Sequence, residues 1–177
     1  VGIKGFGAVY FRREATQLTN EGGLWDESGK IYPNLKATPR SSPTHTWIFP
    51  SGVKFSFGHL FREDDKYSHQ GGQYAWIGFD EATHFTEGQV WYVIGRNRSD
   101  CGIRKIRMTF NPDGTSWVKT MFAPWVDDTY PDIAQCGEVR WLVRKAPDYH
   151  YFRLKAEAVA FAKEVFSLPD EQATHAV

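Results

Sequence analysis

Two adjacent carboxylates, Asp80 and Glu81, have the residue types and position best suited to chemistry in this sequence. They follow residues 74–79, a run that is apolar apart from Gly78 and long enough for a strand buried on both faces. Because the interior of a parallel sheet does not tolerate charge, we expect both side chains at the carboxyl end of this strand, where open α/β sheets bind ligands. In P-loop nucleoside triphosphatases an aspartate at this place holds Mg²⁺, and a following glutamate can activate water. A solvated acidic turn is the alternative interpretation.

A second group of polar residues follows the next predicted strand, residues 104–110. Thr109 and Asn111 lie at its end, directly before a Pro-Asp-Gly turn. An asparagine side chain can donate to a phosphate oxygen and accept from a water molecule at once. Between the two strands, residues 87–98 are predicted to form a helix capped by Thr86. We therefore expect the two acids and the asparagine to open onto one nucleotide-sized crevice.

Residues 80–119 carry the separately spaced motifs DE, GRNRS and TFN. In this combination the stretch closely resembles the ATPase domain of phage terminase large subunits, the motors that package DNA into procapsids. The resemblance implies ATP and Mg²⁺ as cofactors. It identifies Asp80 and Glu81 as the catalytic Walker B pair, with Asp80 as the magnesium ligand. It also implies that Thr109 and Asn111 bind the cofactor, as part of a coupling motif that senses the γ-phosphate.

The fold implied by this resemblance is an α/β fold of the P-loop NTPase (ASCE) type, truncated at the N-terminus. It has a mainly parallel sheet flanked by helices, with a small C-terminal β-hairpin plus helix. Residues 1–135 would be a partial ATPase core, and residues 136–177 would be lid-like strands and a helix. Local patterns predict a strand at 8–11, a helix at 14–26, an irregular connection at 27–43, a hairpin of 44–49 with 53–57, a short helix plus loop at 59–72, strands at 137–143 and 149–154, and a helix at 155–166.

Three arginines, Arg62, Arg96 and Arg98, are candidates for contacts with DNA or with a neighbouring subunit. Many terminases have an arginine ahead of the Walker B strand that acts across the subunit interface, and Arg62 is the nearest arginine to that place. Arg96 and Arg98 lie in a stretch similar to the SRNRS of resembling sequences, although a solvated basic helix end is the alternative. Arg12 and Arg13 follow the first predicted strand, where they face either the nucleotide or a neighbouring subunit, or are solvated charges.

The composition limits the classes of function. In 177 residues, 21 lysines and arginines balance 21 acidic residues. The chain therefore lacks the overall positive charge that is typical of proteins that coat DNA. Two distant cysteines fit a reducing cytosol, and no apolar run reaches the length of a membrane span. The resemblance implies double-stranded DNA, a portal protein and a small terminase subunit as partners, a ring of identical subunits, no membrane, and the host cytoplasm as location.

The phosphate-binding loop GxxxxGK[ST] does not occur in these residues, and GTSWVKT at 114–120 lacks the required glycine and spacing. The resemblance places Val1 just downstream of such a loop. We therefore expect the chain alone to hydrolyse ATP weakly or not at all. The alternative is a catalytically silent packaging or DNA-interaction module, such as a prophage remnant. A two-metal nuclease that adds Asp64 and Asp65 to the Walker B pair is disfavoured, because these two lie in a polar loop.

Overall fold

The chain divides into two compact units, residues 1–113 and residues 114–177. A computed structural model describes residues 3–111, 114–175 and 177, so Pro112 and Asp113 of the predicted turn lie outside the described residues. The division by compactness comes before the predicted functional boundary between residues 135 and 136. That boundary follows from motifs rather than from packing, and it stays a prediction.

The described part of the first unit forms a six-stranded mixed sheet. Its strands in chain order are β1 (Gly7–Arg12), β2 (Thr38–Arg40), β3 (His45–Ile48), β4 (Lys54–His59), β5 (Trp76–Phe79) and β6 (Lys105–Met108). Across the sheet the order is β2-β3-β4-β1-β5-β6. Strand β1 pairs in parallel with β4 and with β5, and β5 pairs in parallel with β6. Strand β3 pairs antiparallel with β2 and with β4. The predicted α/β class, the mainly parallel sheet and the β3–β4 hairpin are confirmed.

The helices of this unit flank the sheet. They are α1 (Ala15–Thr19), α2 (Leu24–Ile31) and α3 (Glu87–Ile94), with 3₁₀ turns at Tyr32–Leu35, Glu63–His69 and Ala82–His84. The single helix predicted at 14–26 is wrong, and so is the irregular connection at 27–43. Helix α1 stops at Asn20, and Gly22 turns the chain with a φ of 74°. Helix α2 then begins at Leu24 with two acids in its first turn, a favourable arrangement against the helix dipole.

Helix α3 begins as the sequence indicates and ends earlier than predicted. Thr86 Oγ1 accepts the Gln89 amide N–H at 3.1 Å, which confirms the predicted cap. The helix ends at Ile94 instead of residue 98, because the chain tightens at Gly95 and the next amide, Arg96 N–H, bonds back only three residues. Consequently Arg96 and the arginine after it lie beyond the helix.

Strand β5 lies between β1 and β6, and aromatic rings cover both of its faces. Phe79 stacks on Phe11 of β1 with ring centroids 5.4 Å apart. On the opposite face, Trp76 stacks on Tyr10 of β1 at 5.5 Å. Gly78 leaves room for these two rings, since a Cβ there would overlap both of them. The strand is buried as predicted, so the charged residues that follow it emerge at its carboxyl end.

The second unit is built around an antiparallel hairpin and a helix, as predicted. Its elements are α4 (Trp117–Met121), α5 (Ala123–Val126), β7 (Trp141–Lys145), β8 (Asp148–Phe152), α6 (Lys155–Phe166) and α7 (Asp170–His175). Val143 and three alanines of α6 and α7 form its buried core. Strand β7 begins later than the predicted residue 137, because Gly137 adopts a φ of 82° in a turn closed by Glu138. Among the described residues, no helix has the length and apolar content that a membrane span requires.

Candidate functional site

The carboxyl ends of β5 and β6 form one crevice. The parallel register pairs Phe79 with Met108, so the residues that follow the two strands emerge side by side. The crevice has a volume of about 280 Å³, and its lining consists of Asp80, Glu81, Thr109, Phe110 and Asn111. The four residues predicted from the sequence as catalytic or cofactor-binding are therefore brought together.

The Thr109 hydroxyl group joins the two strand ends. It donates to Asp80 Oδ1 at 2.6 Å and accepts the Glu81 amide N–H at 3.1 Å. The Thr109 carbonyl oxygen also accepts the Ala82 amide N–H at 2.8 Å. These three hydrogen bonds fix the acidic turn against β6, so the orientation of Asp80 depends on the side chain at position 109.

The second oxygen of the Asp80 carboxylate forms an ion pair with Arg12. Arg12 is the last residue of β1, the strand on the other side of β5, and the two side chains are 31% and 15% exposed. Both Asp80 oxygens are thus engaged, one by a hydroxyl group and one by a guanidinium. Local patterns left several roles open for Arg12, and they did not predict this pairing. The signal that could have revealed it is an arginine at the end of another parallel strand.

Glu81 adopts a backbone conformation that is rare outside glycine. Its φ of 59° and ψ of 61° lie in the left-handed region, at a cost on the order of 1–3 kcal/mol. The hydrogen bond from its amide N–H to Thr109 helps to hold this geometry. The Glu81 side chain is 45% exposed, with His84 Nε2 at 3.6 Å from its Oε2. A carboxylate in this position can accept a proton from a water molecule in the crevice.

Tyr10 adds a phenol beside these charged groups. Burial raises the pKa of Tyr10, and the Asp80 charge raises that pKa further, whereas Arg12 and a hydrogen bond with Thr109 act in the opposite direction. The phenol therefore stays protonated at neutral pH and does not serve as a base.

The family of the chain is shown by its sequence over almost its whole length. Residues 3–175 match the family described as terminase large subunit, T4likevirus-type, N-terminal. The chain belongs to this family. The terminase resemblance predicted from the sequence is thereby confirmed.

A solved terminase structure is also similar to this chain. It is described as a large terminase from a thermophilic bacteriophage (crystal form 2), with 16% identity and a TM-score of 0.46. That similarity covers 61% of this chain and 26% of the other, so this chain spans about a quarter of that terminase. No curated protein sequence matches the chain.

The oxygen atoms in the crevice suit the Mg²⁺ that the terminase family implies. Carboxylates of Asp80 and Glu81, the Thr109 hydroxyl and the Asn111 amide are hard donors of the type this cation prefers. In the described part of the chain, no three His, Cys, Asp or Glu residues are grouped so that they could hold a metal ion by themselves. A cation held by one or two carboxylates together with substrate phosphates and water fits this donor set.

The three predicted contact arginines occupy two different regions. Arg62 is exposed and follows β4, and its carbonyl oxygen accepts from the Gln89 side chain at 2.7 Å. Arg96 lies over the Tyr92 ring at 5.0 Å, and its carbonyl oxygen accepts the Tyr74 amide N–H before the amino end of β5. Arg98 is exposed close to Arg96. Arg62 is therefore on the carboxyl side of the sheet, whereas Arg96 and Arg98 are at the opposite end from the crevice.

Gln89 is a buried residue that the sequence analysis did not identify as important. Its Oε1 accepts from Arg13 at 3.2 Å and from the Thr86 amide N–H at 3.0 Å. Its Nε2 donates to the carbonyl oxygens of Leu60 and Arg62. This one amide therefore ties the ends of β1 and β4 to the start of α3. The spacing of Thr86 and Gln89 as a capping box was the available signal.

Proposed function

We propose that this chain contributes the Walker B and coupling motifs of an ATPase of the P-loop (ASCE) type, which drives the packaging of viral double-stranded DNA. The observation that carries the proposal is the crevice, where Asp80, Glu81, Thr109 and Asn111 meet at the ends of two adjacent parallel strands. Membership of the terminase family supports the packaging role. The packaging motor would work in the host cytoplasm.

Each site residue has a distinct proposed role. Asp80 would hold Mg²⁺, which supplies charge neutralisation for the transferring phosphoryl group when it is bound. Glu81 orients a water molecule and accepts its proton, because its carboxylate is accessible beside the crevice. Asn111 contacts a phosphate oxygen, and Thr109 passes that contact to the acidic turn through its two hydrogen bonds. A phosphate-binding loop, which these 177 residues do not contain, would complete the nucleotide site.

The proposed partners follow from the same assignment. Double-stranded DNA is the substrate that is moved, and a portal protein and a small terminase subunit complete the motor. Several copies of the chain would form a ring, and Arg62, which is exposed and follows the carboxyl end of β4, is proposed to contact a neighbouring subunit. Arg96 and Arg98 are proposed to contact DNA or a neighbouring subunit away from the crevice.

The experiment joins this chain to the phosphate-loop segment of a T4-like terminase and measures ATP hydrolysis. Glu81→Gln removes the proton acceptor, and we expect the rate to fall about 10²-fold or more while ATP still binds. Glu21→Gln, at an exposed position, is the matched control with an unchanged rate. Equal rates for Glu81→Gln and the wild type would exclude the proposed role, and the chain without the added segment is expected to be nearly inactive.

A further inference from the structure

Arg12 occupies a position that conflicts with the proposed metal site. Its guanidinium pairs with Asp80 Oδ2, while Thr109 holds Oδ1. A magnesium ion needs at least one of these oxygens and brings two positive charges close to the guanidinium. Like charges at this distance repel, and the partial burial of both side chains limits screening by solvent.

The surroundings of Arg12 also leave one of its guanidinium N–H groups without a hydrogen-bond acceptor among the described residues. Arg12 Nε is fully buried and has no hydrogen-bond partner among the described residues. The pair with Asp80 therefore leaves one N–H donor of the guanidinium unsatisfied, and a second anion beside Arg12 could accept from it. Guanidinium groups bind phosphate oxygens through paired N–H donors, so phosphate is the chemical class of anion that suits a displaced Arg12.

We propose that Arg12 is the counter-cation of Asp80 in the metal-free protein and exchanges with the divalent cation at that carboxylate. In this role Arg12 is a positioning residue: it keeps the Asp80 carboxylate oriented and its charge balanced until the metal arrives. Metal binding then frees the guanidinium for a phosphate oxygen of the nucleotide. The inference rests on the proposed function, because the metal and the phosphate are those of the ATPase site.

The test measures Mn²⁺ binding to the full 177-residue chain by electron paramagnetic resonance at low ionic strength, without nucleotide. Arg12→Gln removes the competing charge, and we expect Mn²⁺ to bind about five- to tenfold more tightly than in the wild type. The gain should vanish in the double variant Arg12→Gln/Asp80→Asn. Arg104→Gln, which removes an exposed charge elsewhere, should change the affinity less than about twofold. A variant that lost its structure would bind Mn²⁺ more weakly. Tighter Mn²⁺ binding by Arg12→Gln therefore indicates that Arg12 competes with the metal for Asp80.

A second measurement uses the wild-type chain, in which the ion pair between Arg12 and Asp80 is intact. Two arginine Nε groups of the first unit, those of Arg12 and Arg96, are buried without a partner among the described residues, so their N–H resonances should exchange slowly with water. Adding Mg²⁺ to the wild type should shift the Arg12 resonance and leave the Arg96 resonance in place. An unchanged Arg12 resonance, or an Arg12→Gln variant that binds Mn²⁺ no more tightly than the wild type, overturns the proposal.

The two proposals can fail separately. If Arg12→Gln leaves metal affinity unchanged while Glu81→Gln abolishes hydrolysis, the exchange is wrong and the ATPase function stands. If Arg12→Gln raises metal affinity through Asp80 and Glu81→Gln hydrolyses ATP at the wild-type rate, the exchange at Asp80 stands and the proposed role of Glu81 in hydrolysis is wrong.

Discussion

At the scale of the residue, a single hydroxyl group organises the candidate site. Thr109 is the hydrogen-bond partner of both Asp80 and Glu81, and Glu81 holds a left-handed conformation beside it. Strained backbone of this kind persists where surrounding contacts determine it. The two hydrogen bonds therefore link the residue that follows β6 to the geometry of the acidic pair.

Replacing Thr109 by valine tests this link, since valine keeps the shape and removes the hydroxyl. We expect the free energy of unfolding to fall by about 1 kcal/mol, because the Glu81 N–H and the Asp80 carboxylate each lose a partner near the surface. Urea denaturation measures the change. Thr109→Ser keeps the hydroxyl and should stay close to the wild type. Equal stability of the valine variant and the wild type would mean that the Thr109 hydroxyl group does not stabilise the folded chain through these hydrogen bonds.

The grouping of Asp80, Glu81, Thr109 and Asn111 at one edge of the sheet was predictable from the sequence, whereas the Arg12 pair was not. Asp80 and Asn111 follow apolar strands, and a strand end is a local property that the pattern of residues reveals. The pairing of Arg12 with Asp80 depends on β1 lying beside β5, with a long stretch of chain between them. Local patterns carry no information on which distant strands become neighbours, so the role of Arg12 stayed open.

At the scale of the element, the break between α1 and α2 has a physical cause that the helix prediction did not include. Apolar periodicity continued across the break between α1 and α2, whereas the backbone there is set by Gly22 and by the crowding around Gly23. A Cβ at Gly23 would lie 2.6 Å from the Leu18 carbonyl oxygen, so the chain passes too close for any other residue. Such close backbone contacts depend on the folded structure, so the periodicity of apolar side chains does not predict them.

Strand β5 offers a test of packing at this scale. Gly78→Ala would push a methyl group into the stacked rings of Tyr10 and Trp76, and we expect a loss of about 1–3 kcal/mol in the free energy of unfolding. Gly29→Ala is the matched control in α2, where nothing lies within 4 Å of the added Cβ. That control should be neutral or stabilising by up to about 1 kcal/mol. Thermal and urea denaturation of both variants decide whether β5 is packed as described.

The turn Glu63–His69 gives the first unit a predicted dependence on pH. His69 lies edge-on to the Phe11 ring at 4.8 Å, and burial lowers its pKa from the ordinary value, with the nearby His59 lowering it further and Asp65 opposing. The unfolded chain therefore binds a proton at His69 more readily than the folded chain does. Stability from this group is present above the ordinary histidine pKa of about 6.5 and is lost as the pH falls below it.

The histidine prediction is measured as the difference in unfolding free energy between about pH 7.5 and about pH 5.5. The wild type should lose more stability over this interval than His69→Gln, which cannot take up the proton. His59→Gln, at an exposed position, should keep a dependence much closer to that of the wild type. If His69→Gln shows the same pH dependence as the wild type, partial burial of His69 does not lower its pKa as described.

At the scale of the whole molecule, the chain has a mainly parallel sheet with a crevice at the carboxyl ends of two strands, and a second unit built around a hairpin and a helix. The sheet class was predictable from the terminase resemblance, and the apolar run at residues 74–79 agreed with it as a strand buried on both faces. The boundary between the units was not, because compactness depends on which segments pack together rather than on which motifs they carry. The proposed function depends most on one property at this scale: the ends of β5 and β6 together bind a metal-nucleotide complex.

Iron-mediated cleavage of the backbone tests this joint binding most directly. Fe²⁺ replaces Mg²⁺ in the chain joined to the terminase phosphate-loop segment, and ascorbate with peroxide generates radicals that cut the backbone near the bound metal. With ATP present, we expect cuts close to Asp80 and close to Asn111, both absent in Asp80→Asn. Cuts confined to other segments, or cuts near these residues that persist in Asp80→Asn, would contradict the claim that the ends of β5 and β6 bind the metal-nucleotide complex together.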